Sequence, residues 1–108
     1  LSGLIEIESA PKQISLDSAY PNPFNPATTI SFGLAEDTEV SIQVYNIQGG
    51  VVETLANQYM EAGYHSVVWN ADQHSSGIYF VKMLTSPSTS GIAGENGTVN
   101  IQKLMLIK

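Results

Sequence analysis

Apolar and polar residues alternate along several short stretches of the chain, with the period of two that is typical of half-buried β-strands. The two clearest stretches are residues 28–34 and residues 40–45. Their apolar faces, which we expect to be buried, consist of Ile30, Phe32 and Leu34 in the first and Val40, Ile42 and Val44 in the second. The opposite faces carry mostly small or polar side chains, so each stretch predicts a strand with one face in water.

Turn-forming residues separate these two stretches from further β-prone ones. The other predicted strands are residues 14–16, 51–55, 63–70, 77–84 and 98–107. Residues 52–61 offer the one helical alternative, through the spacing of Leu55, Tyr59 and Met60, but their flanks favour a hairpin. Short strands spaced about ten residues apart are typical of a sandwich. The sequence therefore predicts an all-β fold: a small antiparallel immunoglobulin-like or fibronectin-like β-sandwich of about seven strands.

The chain is predicted to hold one domain, residues 14–108, preceded by a linker of residues 1–13. The linker alternates only weakly and contains Pro11. Because the chain begins at Leu1, with no methionine and no charged-then-apolar leader, we expect it to be a piece of a larger protein. Residues 85–97 are rich in Ser, Gly and Thr and are predicted as a loop.

Composition removes several classes of function. Charged residues make up 13 % of the 108 residues, about half the usual share. Cysteine and arginine are absent and the net charge is −6, which argues against disulfide frameworks, thiolate zinc sites and a general affinity for nucleic acid. The longest aliphatic and aromatic runs, residues 78–81 and 104–107, are too short for a membrane helix, so no membrane insertion is expected.

The negative charge is concentrated in the first two thirds of the sequence. Residues 1–72 contain nine acidic residues against Lys12, whereas residues 73–108 contain three lysines and one glutamate. Lys103 and Lys108 lie in the last six residues. Two interpretations stay open: these lysines either mark a recognised tail or keep an apolar edge strand from self-association.

The candidate catalytic and metal sites are weak, and we expect neither an enzyme nor a cofactor. Residues 72–76 include an acid, a histidine and two serines, but these adjacent residues are typical of a turn. His65 and His74 have no second ligand at a metal-binding spacing. A calcium site of loop oxygens, from Asp17, Asn22 or Asn25, stays open.

Aromatic side chains give a further alternative, a surface that binds carbohydrate. A platform for sugar rings could be built from Phe24, Phe32, Trp69, Tyr79 and Phe80, but a sandwich of this size needs most such rings in its core. The tyrosines at predicted strand ends or outward positions keep the alternative open: Tyr20, Tyr45, Tyr59 and Tyr64. The Asn-Gly-Thr sequence at residues 96–98 fits a glycosylation acceptor, but Asn-Gly before the last strand favours a hairpin turn.

A set of motifs, read in order, carries a more specific resemblance. They are YPNPFNP at residues 20–26, ATTISF at 27–32, VYNIQG at 44–49, GYHSVVWN at 63–70, SGIYFVKM at 76–83 and KLMLIK at 103–108. Over about residues 14–108 the chain closely resembles the type A C-terminal sorting domain of the type IX (Por) secretion system. It is also similar to the immunoglobulin-like domain of the flagellar hook-capping protein. The long stretch 85–97 departs from the compact members but touches none of the motifs.

The resemblance implies a secretion signal rather than an activity. Family members direct an upstream cargo protein through an outer-membrane translocon, with its shuttle, and a sortase-like protease then removes the domain and can link the cargo to the cell surface. The protein would thus cross the periplasm and become secreted or surface-bound. The recognition positions implied for this sequence are Gly77, Tyr79, Lys103 and Lys108. The structural motif is implied at Pro21, Asn22, Pro23, Phe24, Asn25, Pro26 and Trp69.

The physical expectations for these positions are specific. The last strand, Val99–Ile107, should lie at a sheet edge and offer its unpaired backbone groups for strand addition by a receptor. Phe24 should fill one end of the sandwich, and Gly77 should permit a close backbone approach beside the strand of Trp69. The competing interpretation is an immunoglobulin-like spacer or accessory domain of a secreted enzyme, with weak carbohydrate binding. A sorting domain, unlike a spacer, is expected to end the parent protein.

Overall fold

Seven strands account for most of the chain that the computed structural model describes, namely residues 11, 13–86 and 98–108. In chain order they are β1 (Ser15–Leu16), β2 (Ala27–Leu34), β3 (Thr38–Tyr45), β4 (Val51–Met60), β5 (Gly63–Asn70), β6 (Gly77–Ser86) and β7 (Thr98–Leu106). The described ranges contain no helix, and the helical alternative at residues 52–61 falls mostly in β4. The predicted all-β class is confirmed.

The strands form two antiparallel sheets. One has the order β1-β2-β5 and the other β4-β3-β6-β7, so non-consecutive strands become neighbours. Chain crossings between the sheets bring β2 beside β5 and β3 beside β6, as in sandwiches of the immunoglobulin type. The predicted β-sandwich of about seven strands is therefore confirmed.

Alternation of side chains explains which faces the sheets bury. Every apolar residue assigned to an inner face in β2 and β3 is buried, from Ile30 to Val44. Residues of β6 and β7 complete the other side of the core with Tyr79, Val81, Met83, Leu104 and Leu106. Burying each such side chain contributes about 1.5–3 kcal/mol, which makes this two-layer core the main source of stability.

Three segment predictions change. β4 continues to Met60, five residues beyond its predicted end at Leu55. β6 continues to Ser86, so the predicted loop loses Thr85 and Ser86 to a strand, and the remaining residues 87–97 lie outside the described residues. The hairpin turn predicted at residues 96–97 lies there as well. Of the proposed linker, residues 1–10 and 12 are also outside. Pro11 packs against the domain beside Gly33. A β-carbon added to Gly33 would stand only 2.9 Å from Pro11 Cγ.

Four strands lie at sheet edges, and they differ in how their free sides are protected. β1 and β5 border the smaller sheet, and β4 and β7 border the larger one. The pairing of β3 with β4 shifts register twice, at Ile42/Gln43 and at Val44/Tyr45. Bulges of this kind twist an edge and discourage pairing with other chains. The prediction that the last strand occupies an edge is confirmed.

Candidate recognition site

The sequence motifs converge at one end of the sandwich, around the last residues of β7. In the pairing of β6 with β7, Gly77 lies opposite Leu106 and Tyr79 opposite Leu104. Phe24 forms a parallel bridge with the same Leu106. Residues separated by up to 82 positions in sequence thus meet here, because the crossing chain brings the proline segment, residues 20–26, to the edge of β7.

The proline segment carries the chain from one sheet to the other. Tyr20 pairs with Thr29 in the smaller sheet, while Phe24 pairs with Leu106 in the larger. Prolines cannot donate to a ladder, so they suit a segment that changes partners. Two carbonyls in the segment still find donors: the Thr28 hydroxyl donates to Pro21 O (2.6 Å) and Ala71 N–H to Pro26 O (2.8 Å).

Asn22 and Phe24 cover part of the outer edge of β7. The Asn22 side chain donates through Nδ2 to Lys103 O and accepts at Oδ1 from Met105 N, both at 3.0 Å. Phe24 N–H donates to Met105 O (3.0 Å), and Ile107 N–H donates to Phe24 O (2.9 Å). An asparagine amide reproduces the donor and acceptor of a peptide group, so the proline segment acts as a short additional strand. The prediction that the whole edge of β7 is unpaired is wrong for this half.

Gln102 makes a second contact of the same kind, which the sequence did not reveal. Its Oε1 accepts from Ala19 N–H, and its Nε2 donates to Asp17 O (2.7 Å). Together with Asn22 it fixes residues 17–24 against β7. A glutamine in an alternating strand carries no distinguishing signal, because its partners are more than 80 residues away in sequence.

An aromatic cluster fills the same end of the sandwich. The ring of Trp69 lies 5.5 Å from those of Phe24 and His74 and 5.2 Å from that of Tyr79, measured between centroids. The Tyr79 hydroxyl donates to Ser75 O at 2.7 Å. Tilted and edge-on pairs at these distances are favourable arrangements of aromatic rings. The prediction that Phe24 fills one end of the sandwich is confirmed, because Phe24 is buried against Trp69.

The explanation predicted for Gly77 is wrong. A β-carbon at this position would meet no atom within 4 Å, so no backbone approaches closely. Gly77 instead has a φ of 154°, which L-residues rarely adopt. The glycine is therefore favoured by backbone conformation at the start of β6.

The two terminal lysines have different surroundings. The Lys108 ammonium donates to Asp72 O (2.7 Å) and His74 O (2.8 Å), and its backbone N–H donates to Ser76 Oγ (2.9 Å). It therefore ties the end of the chain to the loop that covers the aromatic cluster. Lys103 is exposed, and its ammonium has no hydrogen bond with any described residue.

Replacing Lys108 by methionine is expected to loosen this loop without unfolding the domain. Loss of the two carbonyl contacts removes about 1 kcal/mol of local stabilisation, which corresponds to roughly fivefold faster amide exchange. The reporting amide is His74 N–H, which donates to Ala71 O at 2.9 Å. Hydrogen exchange followed by NMR measures the change. Lys103→Met is the matched control, and equal acceleration in both variants would contradict the role given to Lys108.

Several of the candidate catalytic and metal residues are engaged in structural contacts. Ser76 Oγ accepts from Lys108 N–H, and His65 Nε2 lies 2.7 Å from Glu61 O while its ring stacks on Phe32. The Asn22 oxygen considered for calcium accepts from Met105 N–H. Among the described residues, no group of three or more acidic or histidine side chains is placed to hold a metal ion.

The aromatic platform considered for sugars does not exist as such, because most of its rings are in the core. Phe24, Phe32, Trp69 and Tyr79 are buried. Tyr20 and Tyr64 are exposed, at 80 % and 70 %, and strand alternation places both on the outer face of the smaller sheet. No helix in the described ranges has the length and apolar character needed to cross a membrane.

Comparisons with known proteins agree with the fold and the motifs. The solved structure of CopC from Methylosinus trichosporium OB3b is similar, with a TM-score of 0.53 at 17 % identity over 87 % of this chain and 93 % of that one, which shows the β-sandwich fold alone. No curated protein is similar enough in sequence to count as a relative. A family model described as a secretion system C-terminal sorting domain matches residues 18–91, which include the proline segment and β2 to β6. The chain therefore belongs to the family of type IX secretion C-terminal sorting domains.

Proposed function

We propose that this domain directs an upstream cargo protein across the outer membrane, and that the type IX translocon and its shuttle bind it in the periplasm. A sortase-like protease then removes the domain and can anchor the cargo at the cell surface. Membership of the sorting-domain family supports a secreted or surface protein that interacts with the type IX machinery. The single observation that carries the proposal is the family match over residues 18–91.

The arrangement of the motifs supports the same function. A receptor that binds the folded domain contacts a surface to which residues distant in sequence contribute. Here the proline segment, the start of β6 and the end of β7 form one continuous region. The implied recognition positions divide between this region and the neighbouring face: Gly77 and Lys108 lie at the end of the sandwich, and Lys103 on the outer surface of the larger sheet. Tyr79 is buried, so it supports the region from beneath.

An export assay tests the proposal. Residues 1–108 are fused behind a fluorescent passenger that carries an ordinary periplasmic signal peptide, and the fusion is expressed in a bacterium with an intact type IX system. A translocon-deleted strain serves as the matched control. Passenger on the surface or in the medium of the intact strain alone is the expected result. Passenger retained in the periplasm of both strains, with the domain folded, would overturn the sorting function.

The alternative function is an immunoglobulin-like accessory domain with weak carbohydrate binding. The observation in its favour is the pair of exposed tyrosines, Tyr20 and Tyr64, on the outer face of the smaller sheet. Exposed aromatic rings on the outer face of a sheet suit stacking against sugar rings. A polysaccharide-binding screen of the wild-type domain and a Tyr20→Ala, Tyr64→Ala double variant separates the two, because only this alternative requires those rings.

A further inference from the structure

The outer edge of β7 is divided into a covered half and an open half. Its covered groups are Lys103 O, Met105 N and O, and Ile107 N, which bond to Asn22 and Phe24. In an antiparallel ladder, alternate residues point both backbone groups to the same side. The next outward groups are therefore those of Ile101 and Val99, together with Lys103 N–H. No described residue bonds to them.

The side chains beside the open half are apolar and positively charged. Val99 and Ile101 are exposed at 60 % and 61 %. Across the β6–β7 pairing, Ile101 lies next to Lys82 and Lys103 lies next to Phe80, so two lysines and two apolar side chains alternate on one outer face. A shallow groove of about 420 Å³ continues this face over Tyr45, Ile47 and Phe80.

Charge makes this patch unusual in an acidic domain. The chain has a net charge of −6, yet two of its four lysines lie within this small patch. Lys82 also lies 4.8 Å from the centre of the Tyr45 ring. Glu39 lies on the same outer face in β3, in register with Ser86, so β6 separates it from β7 and it is nearer to Val99 than to Lys103. The patch therefore presents positive charge beside exposed apolar surface.

The other edges of the sandwich lack this combination. β4 is bulged where it pairs with β3, and many of its exposed side chains are polar. β5 has an unpaired outer side as well, with Val68 exposed at 61 %, but none of its residues is basic except His65, which stacks on Phe32. Exposed apolar residues, an unbulged ladder and lysines coincide at β7 alone among the described strands.

We propose that residues 99–103 of β7 bind an extended segment of a partner protein by strand addition. The partner's segment carries apolar side chains opposite Val99 and Ile101 and a carboxylate opposite Lys103. Main-chain hydrogen bonds supply affinity in such pairing, and the alternate side chains supply specificity. The inference rests on the proposed function, in that the partner is a component of the secretion machinery.

A second copy of this chain fits the open half less well. Antiparallel self-pairing centred on Ile101 would use residues 99–103 of both copies. In that register Lys103 of each copy lies opposite Val99 of the other, so no carboxylate faces it, while Lys82 and Lys103 from both copies collect four positive charges on one continuous face and repel one another. A partner with a carboxylate at this position replaces that repulsion by attraction.

A pair of proline variants tests strand addition in the export assay. Ile101→Pro removes an outward N–H from the open half without removing a bond to β6, because proline is tolerated on the free side of an edge strand. Val68→Pro is the matched control: Thr29, its partner in β2, bonds to Tyr20 on the far side, so Val68 N–H also faces outward. We expect export of the passenger to fall about tenfold or more for Ile101→Pro. Val68→Pro should export at the wild-type level.

A second pair tests the charge and keeps the proposal testable if a proline variant fails to fold. Lys103→Glu should lower export about fivefold, and Lys103→Arg should retain it. Thermal unfolding and circular dichroism of each purified domain show that the fold is intact. Since Lys103 is exposed with no bonded ammonium among the described residues, neither change should alter the unfolding temperature.

The outcomes separate the inference from the function on which it rests. No export of the wild-type fusion overturns the proposed function itself. If the wild type, Ile101→Pro and Lys103→Glu fusions are all exported normally, strand addition at β7 is overturned and the proposed function stands. An equal loss in the folded Val68→Pro variant also overturns it. So does a wild-type domain that is dimeric by light scattering and becomes monomeric on Ile101→Pro, because the occupant is then a second copy.

Discussion

Removal of residues 103–108 is expected to unfold the domain and not merely to erase a recognition mark. The deleted segment contains Leu104 and Leu106, which are fully or almost fully buried, and the backbone to which Asn22 and Phe24 bond. Loss of each buried leucine costs about 2–5 kcal/mol, so the pair approaches the whole stability of an ordinary domain, about 5–15 kcal/mol. Circular dichroism and thermal unfolding of the shortened chain measure the effect.

The matched control keeps the leucines and changes only the charges. A Lys103→Ala, Lys108→Ala double variant should have an unfolding temperature within a few degrees of that of the wild type. Each kcal/mol of stability lost lowers this temperature by about 4–8 °C. Cooperative unfolding of the shortened chain at the wild-type temperature would contradict the role of β7 in the core. If the deletion unfolds the domain as expected, failure of export after deletion says nothing about recognition. The point variants in β7 then become the informative tests.

Replacement of Trp69 by alanine is expected to destabilise the domain by about 3–5 kcal/mol. Trp69 is the largest fully buried side chain, and the rings of Phe24, His74 and Tyr79 surround it. Its loss would leave a cavity at the end of the sandwich where the proline segment and the loop over residues 71–76 meet. Denaturant unfolding gives the free energy. Faster hydrogen exchange at Ile107 N–H, which donates to Phe24 O, would show that the damage reaches the end of β7.

Phenylalanine at the same position is the control, and its expected effect is much smaller. Trp69 Nε1 is buried, and no described residue accepts its hydrogen bond. An unsatisfied buried donor costs about 1–3 kcal/mol, and Trp69→Phe removes it at the same time as it creates a smaller cavity. The two effects oppose each other, so Trp69→Phe should lie within about 2 kcal/mol of the wild type. Equal damage from both replacements would contradict this account.

Most of the motif residues therefore have an architectural role. Phe24, Trp69 and Tyr79 form the aromatic cluster, and Asn22 covers the end of β7. What a partner could contact lies beside them, on exposed side chains and the open half of the β7 edge. Sequence-distant segments compose this surface, so it exists only in the folded domain.

The alternation of apolar residues was sufficient to predict the strands and the inner faces of β2 and β3. A strand with a period of two and one buried face leaves little freedom in register, since a shift by one residue would expose Ile30, Phe32 and Leu34 together. Turn-forming residues between the apolar stretches were sufficient to predict the ends of most strands. The order of the motifs likewise indicated the family, because sequence similarity does not depend on knowing the contacts.

The contacts that shape the candidate site were decided by the tertiary structure. Asn22 bonds to residues 103 and 105, and Gln102 to residues 17 and 19, across more than 80 positions of sequence. No local pattern encodes such pairing, because an amide side chain has the same propensity whether it meets water or a strand edge. The sequence by itself therefore determined an all-β sandwich of the sorting-domain family. Which half of β7 is covered and which is open depends on where the crossing of the proline segment brings its amide groups in space.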